Sequence, residues 1–159
     1  MVELEPIEML NGIFSIIVVL FATTIGVAIM SKYPKTKKRH FLLIGIGGMG
    51  MASTLWSVSI SVIYALITGN QIADQLYMFI ANGFFPLITF MLVMGFTDLF
   101  TFQGTKWQKI ILLVYLIIGI IFEAYYLYFL FTDYSVLGVV LSPVDAEYNL
   151  VVISYQVFL

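Results

Sequence analysis

Cysteine is absent from this 159-residue chain, histidine occurs once, and only 10% of residues carry charge. Without cysteine there are no disulfides and no thiolate metal sites, and the redox compartment leaves no trace. A lone His40 excludes a multi-histidine metal cluster, so neither metal nor cofactor is expected. The scarcity of charge excludes more. A soluble domain of this length carries about a quarter charged residues and covers its surface with polar side chains. Here 62% of residues are hydrophobic and the mean hydropathy is +1.06. Lipid must therefore be the solvent for most of the chain.

What is present sorts into four long apolar runs and a short fifth. The spans fall at about 7–30, 41–68, 75–100 and 110–131, with a partial run at 149–159. Each long run exceeds the ~20 residues that a helix needs to cross a ~30 Å hydrocarbon core. Backbone in lipid must satisfy its own hydrogen bonds, and the runs do not alternate as barrel strands would, so helices are expected. The expected fold is all-α: one polytopic transmembrane helix bundle of four full spans plus a truncated fifth.

The few cations are not scattered. Lys32, Lys35, Lys37, Lys38 and Arg39 lie between the first two spans, and Lys106 and Lys109 between the third and fourth. Short loops rich in Lys and Arg stay cytoplasmic. This places loops 31–40 and 101–109 in the cytoplasm and the N-terminus, with its acidic Glu3, Glu5 and Glu8, outside a cell membrane. A basic run wedged between two spans reads as a topology signal rather than a nucleic-acid patch, and no nucleic-acid partner is expected. Contact with anionic lipid headgroups at 32–39 is a compatible second role. The first span is too long for a signal-peptide core and has its flanking charges reversed, so it is expected to stay as an anchor.

Ten residues of helix rise only about 15 Å, half the hydrocarbon thickness. The run "LVVISYQVFL" is therefore expected to continue into further helices of a longer chain, or to be covered by a partner subunit. An outside N-terminus with at least five spans is similar, in topology alone, to seven-helix membrane sensors and receptors.

The second span contains Gly45, Gly47 and Gly50 in the G-x-G-x-x-G spacing of dinucleotide sites, with Asp74 downstream. No further βα units accompany it, so the glycines are expected to let a neighbouring helix approach closely. Gly50, Ser53, Ser57, Ser61 and Tyr64 follow at spacings of three and four, a stripe on one helix face.

Glu123 stands out. It lies about 13 Å from the outer end of the fourth span, where an ionised carboxylate costs about 2.5–3.5 kcal/mol. A neutral carboxylic acid is the expected form. Tyr115, Gly119 and Tyr126 share its face at helical spacing. The same rise places Asn82, Ser15, Ser57, Ser61 and Gln156 at about 10–17 Å from their outer ends. The strong polar groups of five helices thus converge on one layer in the outer half. Two explanations stand: a small-ligand or proton site of Glu123, Asn82, Tyr126, Ser57 and Ser61, or interhelical hydrogen bonds worth about 0.6 kcal/mol each. Pro86 is expected to kink the third span, and Asp98 to form a solvated pair with Lys106 and Lys109.

No nucleophile–base pair, metal spacing or phosphate loop lies at a plausible depth, so enzymatic activity is not expected. The expected role is a sensor or receptor-like membrane module. The alternatives are a proton- or cation-coupled carrier using Glu123, or a structural membrane subunit. Against the carrier stands the lack of a second interrupted helix or an inverted repeat.

Overall fold

The computed structural model describes residues 4–100 and 103–158. Glu3, positions 101–102 of the second basic loop and Leu159 lie outside the described residues. Helix makes up 78% of the chain. Among the described residues, three helices are long and apolar enough to cross a membrane, or four if one bent pair counts as a single span.

Helix α1 runs Pro6–Met30. The acidic residues before and within its first turn stabilise the helix start. Glu5 and Glu8 form a capping box, with the Glu5 N–H donating to Glu8 Oε2 at 2.9 Å. This satisfies amides that a helix start otherwise leaves bare. Pro6 follows in the first turn, where its missing N–H costs nothing. A short α2 (Tyr33–Thr36) crosses the basic loop.

The second span is two helices, α3 (Arg39–Gly50) and α4 (Ser53–Thr68), bent by 50° at Met51–Ala52. The expected stripe from Gly50 to Tyr64 therefore does not lie on one straight helix. Gly50 belongs to α3 and faces Ile88, whereas Ser53, Ser57 and Ser61 are buried on α4 and Tyr64 is 42% exposed.

The glycines of α3 serve two neighbours. A Cβ on Gly45 would stand 2.7 Å from the Gly26 carbonyl of α1, and one on Gly26 would stand 2.8 Å from the Gly45 carbonyl. Gly47 instead admits Leu92, whose side chain would meet a Cβ at 2.5 Å. One small-residue helix is thus held between α1 and the third span, as close backbone approach requires.

The third span is α5 (Asp74–Asn82) followed by α6 (Phe85–Leu99). The interruption falls at Gly83–Phe84 and Pro86 lies in the first turn of α6. The proline thus opens a new helix rather than kinking a continuous one. It still has no N–H to return to the Asn82 carbonyl four residues back. Helix α7 (Lys106–Thr132) is continuous, capped by Thr105, whose side chain accepts from the Gln108 amide.

After a 3₁₀ turn at Tyr134–Val136, the loop expected beyond the fourth span forms an antiparallel hairpin, β1 (Gly138–Ser142) with β2 (Asp145–Tyr148). Helix α8 (Leu150–Phe158) completes the described chain. The helices pack as a row: α1 on α3 and α4, those on α6 and α5, and α6 on α7. The main hydrophobic core sits at the hairpin end, where Val62, Met78, Tyr126, Leu130, Leu137 and Val152 are buried together.

Candidate functional site

The expected polar layer divides into two places. The first is a closed cluster beneath α8. Asn82, at the end of α5, is fully buried and its Oδ1 accepts from Gln156 Nε2 of α8 at 2.6 Å. The Tyr126 hydroxyl donates to the Met78 carbonyl at 2.8 Å, tying α7 to α5. Away from α8, Ser57 of α4 returns its hydroxyl to the Thr54 carbonyl at 2.6 Å, and Ser15 of α1 returns its own to the Asn11 carbonyl at 2.9 Å, each within its own helix. Ser61 Oγ, Asn82 Nδ2 and Tyr155 Oη are buried without a hydrogen-bond partner. Tyr155 is held between Phe85 and Phe122, with ring centroids 5.6 and 4.8 Å away. The Tyr126, Asn82–Gln156 and Tyr155 contacts join α5, α7 and α8.

The second place is a groove of about 430 Å³ between the third span and α7. Phe79, Phe84, Leu87 and Phe90 form one wall, Leu116 and Ile120 the other, with Tyr115 at one end. Pro86 and Gly119 meet across its floor, where a Cβ on Gly119 would stand 3.3 Å from Pro86. Glu123 also lines it, half-buried, and its Oε2 is buried without a partner. Asn82, Tyr126, Ser57 and Ser61 do not line this groove, so Glu123 is its one acidic group among the described residues.

The groove follows the helix flank. Counted from Thr132 along α7, Leu127 to Tyr115 span depths of about 8–25 Å. Phe84, Leu87 and Ile120 on its rim are each more than half exposed. The groove therefore opens sideways, along the flank of the helices, and not at the end of the bundle. Its volume lies in the range of small-molecule pockets, and so does its make-up of apolar walls around a few polar atoms.

A second polar centre lies at the opposite end, where the sequence pointed to a different pairing. Asp98 is not in a solvated pair with Lys106 and Lys109, which are both exposed. Its side chain is 1% exposed and is clasped by Arg39 through two bonds, Nε to Oδ2 and Nη2 to Oδ1, the latter at 2.8 Å. Gln108 Nε2 adds a bond to Oδ1 at 2.6 Å, and Gln108 Oε1 accepts from the Gly104 amide at 2.7 Å. A bidentate guanidinium–carboxylate pair fixes geometry as well as charge. It fastens the start of α3 to the end of α6. The other cations of the first basic loop, Lys32, Lys35, Lys37 and Lys38, stay exposed around it.

Comparison with protein-family models, curated proteins and solved structures finds no match for this chain.

Proposed function

We propose that this chain is a sensor or receptor-like membrane module, N-terminus outside, that takes a small amphiphilic ligand in the groove beside Glu123. The observation that carries the reading is the buried, unpartnered Oε2 of Glu123 in an otherwise apolar groove. A buried polar atom left unmatched costs about 1–3 kcal/mol. A ligand that brings a hydrogen-bond donor recovers that energy, while its hydrocarbon body fills the space between the phenylalanines and α7. The matching ligand has an apolar body with one amine or hydroxyl, and it arrives through the bilayer. The orientation is supported by charge: all seven lysines and arginines fall in the two loops that meet at Arg39, Asp98 and Gln108. Such an end stays cytoplasmic.

The test uses decylamine as the probe and phosphatidylcholine nanodiscs as the medium. Decylamine should raise the unfolding temperature of the wild-type protein. Saturating it about a hundredfold above Kd adds about 2.7 kcal/mol of stability. Glu123→Gln removes the charge partner and Gly119→Leu fills the floor, and each should abolish the shift while the protein stays folded. No shift with decylamine or decanol sinks the ligand reading. Proton flux in proteoliposomes that Glu123→Gln abolishes would favour a carrier instead. If both variants alter only assembly or stability, the structural-subunit reading takes its place.

A further inference from the structure

The basic end of the bundle holds a second cavity, independent of the Glu123 groove. Its volume is about 630 Å³, and Lys37, Lys38, Arg39 and His40 line it in unbroken succession. Among the described residues, Asp98 is the one acidic group in its lining, and Gln103 is the remaining polar one. Both Asp98 oxygens are already engaged, Oδ1 by Arg39 and Gln108 and Oδ2 by Arg39. The lysines therefore keep their charge uncompensated. The Arg39 side chain remains 51% exposed, so part of its guanidinium also faces the open space.

The backbone points the same way. Lys37 adopts a left-handed conformation at φ 54, a position glycine fills without strain. A side chain there costs about 1–2 kcal/mol, so the turn itself would be better served by glycine. Lys38 then enters α3 as its N-cap without offering a side-chain acceptor to the first-turn amides. The start of α3, whose first three residues line the cavity, adds the positive potential of a helix N-terminus. Phe41 and Leu99 complete the wall with apolar surface where two apolar spans begin and end. Cationic donors over an apolar base match an anion anchored at a membrane surface.

We propose that this cavity binds a phosphate-bearing anion, held by Lys37, Lys38 and the free face of Arg39. Two sources share that chemistry, a phospholipid headgroup and soluble phosphate, and one titration separates them. The purified protein in neutral detergent is titrated with dihexanoyl phosphatidylglycerol, dihexanoyl phosphatidylcholine and sodium phosphate, and the unfolding temperature is followed. Phosphatidylglycerol should stabilise it and phosphatidylcholine should not. Lys37→Gly/Lys38→Gln relaxes the strained turn while removing both charges. At about tenfold or less per surface cation, the double variant should need about thirtyfold more phosphatidylglycerol for the same shift. Lys35→Gln, outside the lining, should titrate as wild type. An equal response to sodium phosphate assigns the site to a soluble anion, and no such response assigns it to the headgroup. The proposal is overturned if phosphatidylglycerol acts no better than phosphatidylcholine and phosphate does nothing. It is equally overturned if the double variant titrates like wild type.

Discussion

Asn82 lies about 10 Å down the third span by helical rise, the same depth as Gln156 in the last run, and the two side chains are bonded at 2.6 Å. Depth was legible because helical rise is fixed. Azimuth was not, because no simple periodicity tells which neighbour a face meets. Glu123 sits at the expected depth yet lines a separate groove, away from Asn82, Ser57 and Ser61. Asp98 departs from expectation for a related reason. Lys106 and Lys109 are near in sequence, but the turn into α7 points them outward and brings Gln108 inward, leaving Arg39 from the second span as the ion partner. The Asn82–Gln156 bond makes a quantitative prediction. In a double-mutant cycle of Asn82→Leu and Gln156→Leu, the coupling energy should be about 0.6–1.7 kcal/mol, the range for hydrogen bonds between membrane helices. Reversible unfolding in mixed micelles measures it. A coupling of zero would mean that apolar contacts, Val152 in the core and Tyr155 between Phe85 and Phe122, dock α8 without help from this bond.

Among the elements, the long apolar runs coincide with the helices, or the bent pair, that are long and apolar enough to be candidate spans, with ends that differ by only a few residues. Length and hydropathy suffice for that because lipid imposes them. The breaks within spans were less legible. Pro86 pointed to a kink in the third span, and the break falls just before it at Gly83–Phe84, whereas the 50° bend at Met51–Ala52 has no proline and follows Gly47 and Gly50, which were expected only to admit a neighbouring helix. The hairpin escaped too. "GVVLSPVDAEY" carries a strand-like alternation in GVVLS, buried at Gly138 and Val140 and exposed at Val139 and Leu141, but an apolar stretch beside four spans reads as loop or membrane. Helix contact through glycine can be measured by contrast between two positions of α3. Gly26 and Gly45 oppose each other with backbone where each Cβ would go, while nothing lies within 4 Å of a Cβ on Gly48. Gly45→Ala should push α1 from α3 and destabilise the protein by about 1–3 kcal/mol. Gly48→Ala, on the same helix but facing open space, should be neutral or stabilise by up to about 1 kcal/mol. Unfolding of both variants in one detergent decides it; equal effects would mean that α1 and α3 do not rely on this approach.

The whole molecule is a row of helices, with α1 and α7 at its two ends. Their outer faces are apolar and uncovered: Leu20, Phe21 and Ile25 on α1, and Ile120, Ile121 and Phe131 on α7, are each more than half exposed. Such faces are at home in lipid, which fits the candidate spans found by length and composition. The expectation that the basic end faces the cytoplasm makes a sharp prediction. The absence of native cysteine allows single-cysteine variants to report one position each. Thr36→Cys, exposed in the basic loop, and Glu147→Cys, exposed on the hairpin, lie at opposite ends of the helices. A membrane-impermeant maleimide added to intact cells should label Glu147→Cys and spare Thr36→Cys until the membrane is opened. Two further consequences depend on that pattern. Phosphatidylglycerol must then reach the Lys37–Arg39 cavity from the inner leaflet, and the core beneath the hairpin must face outward. The reverse labelling would turn both around while leaving the sideways entry to the Glu123 groove unchanged, because that groove opens along the helix flank and not at either end.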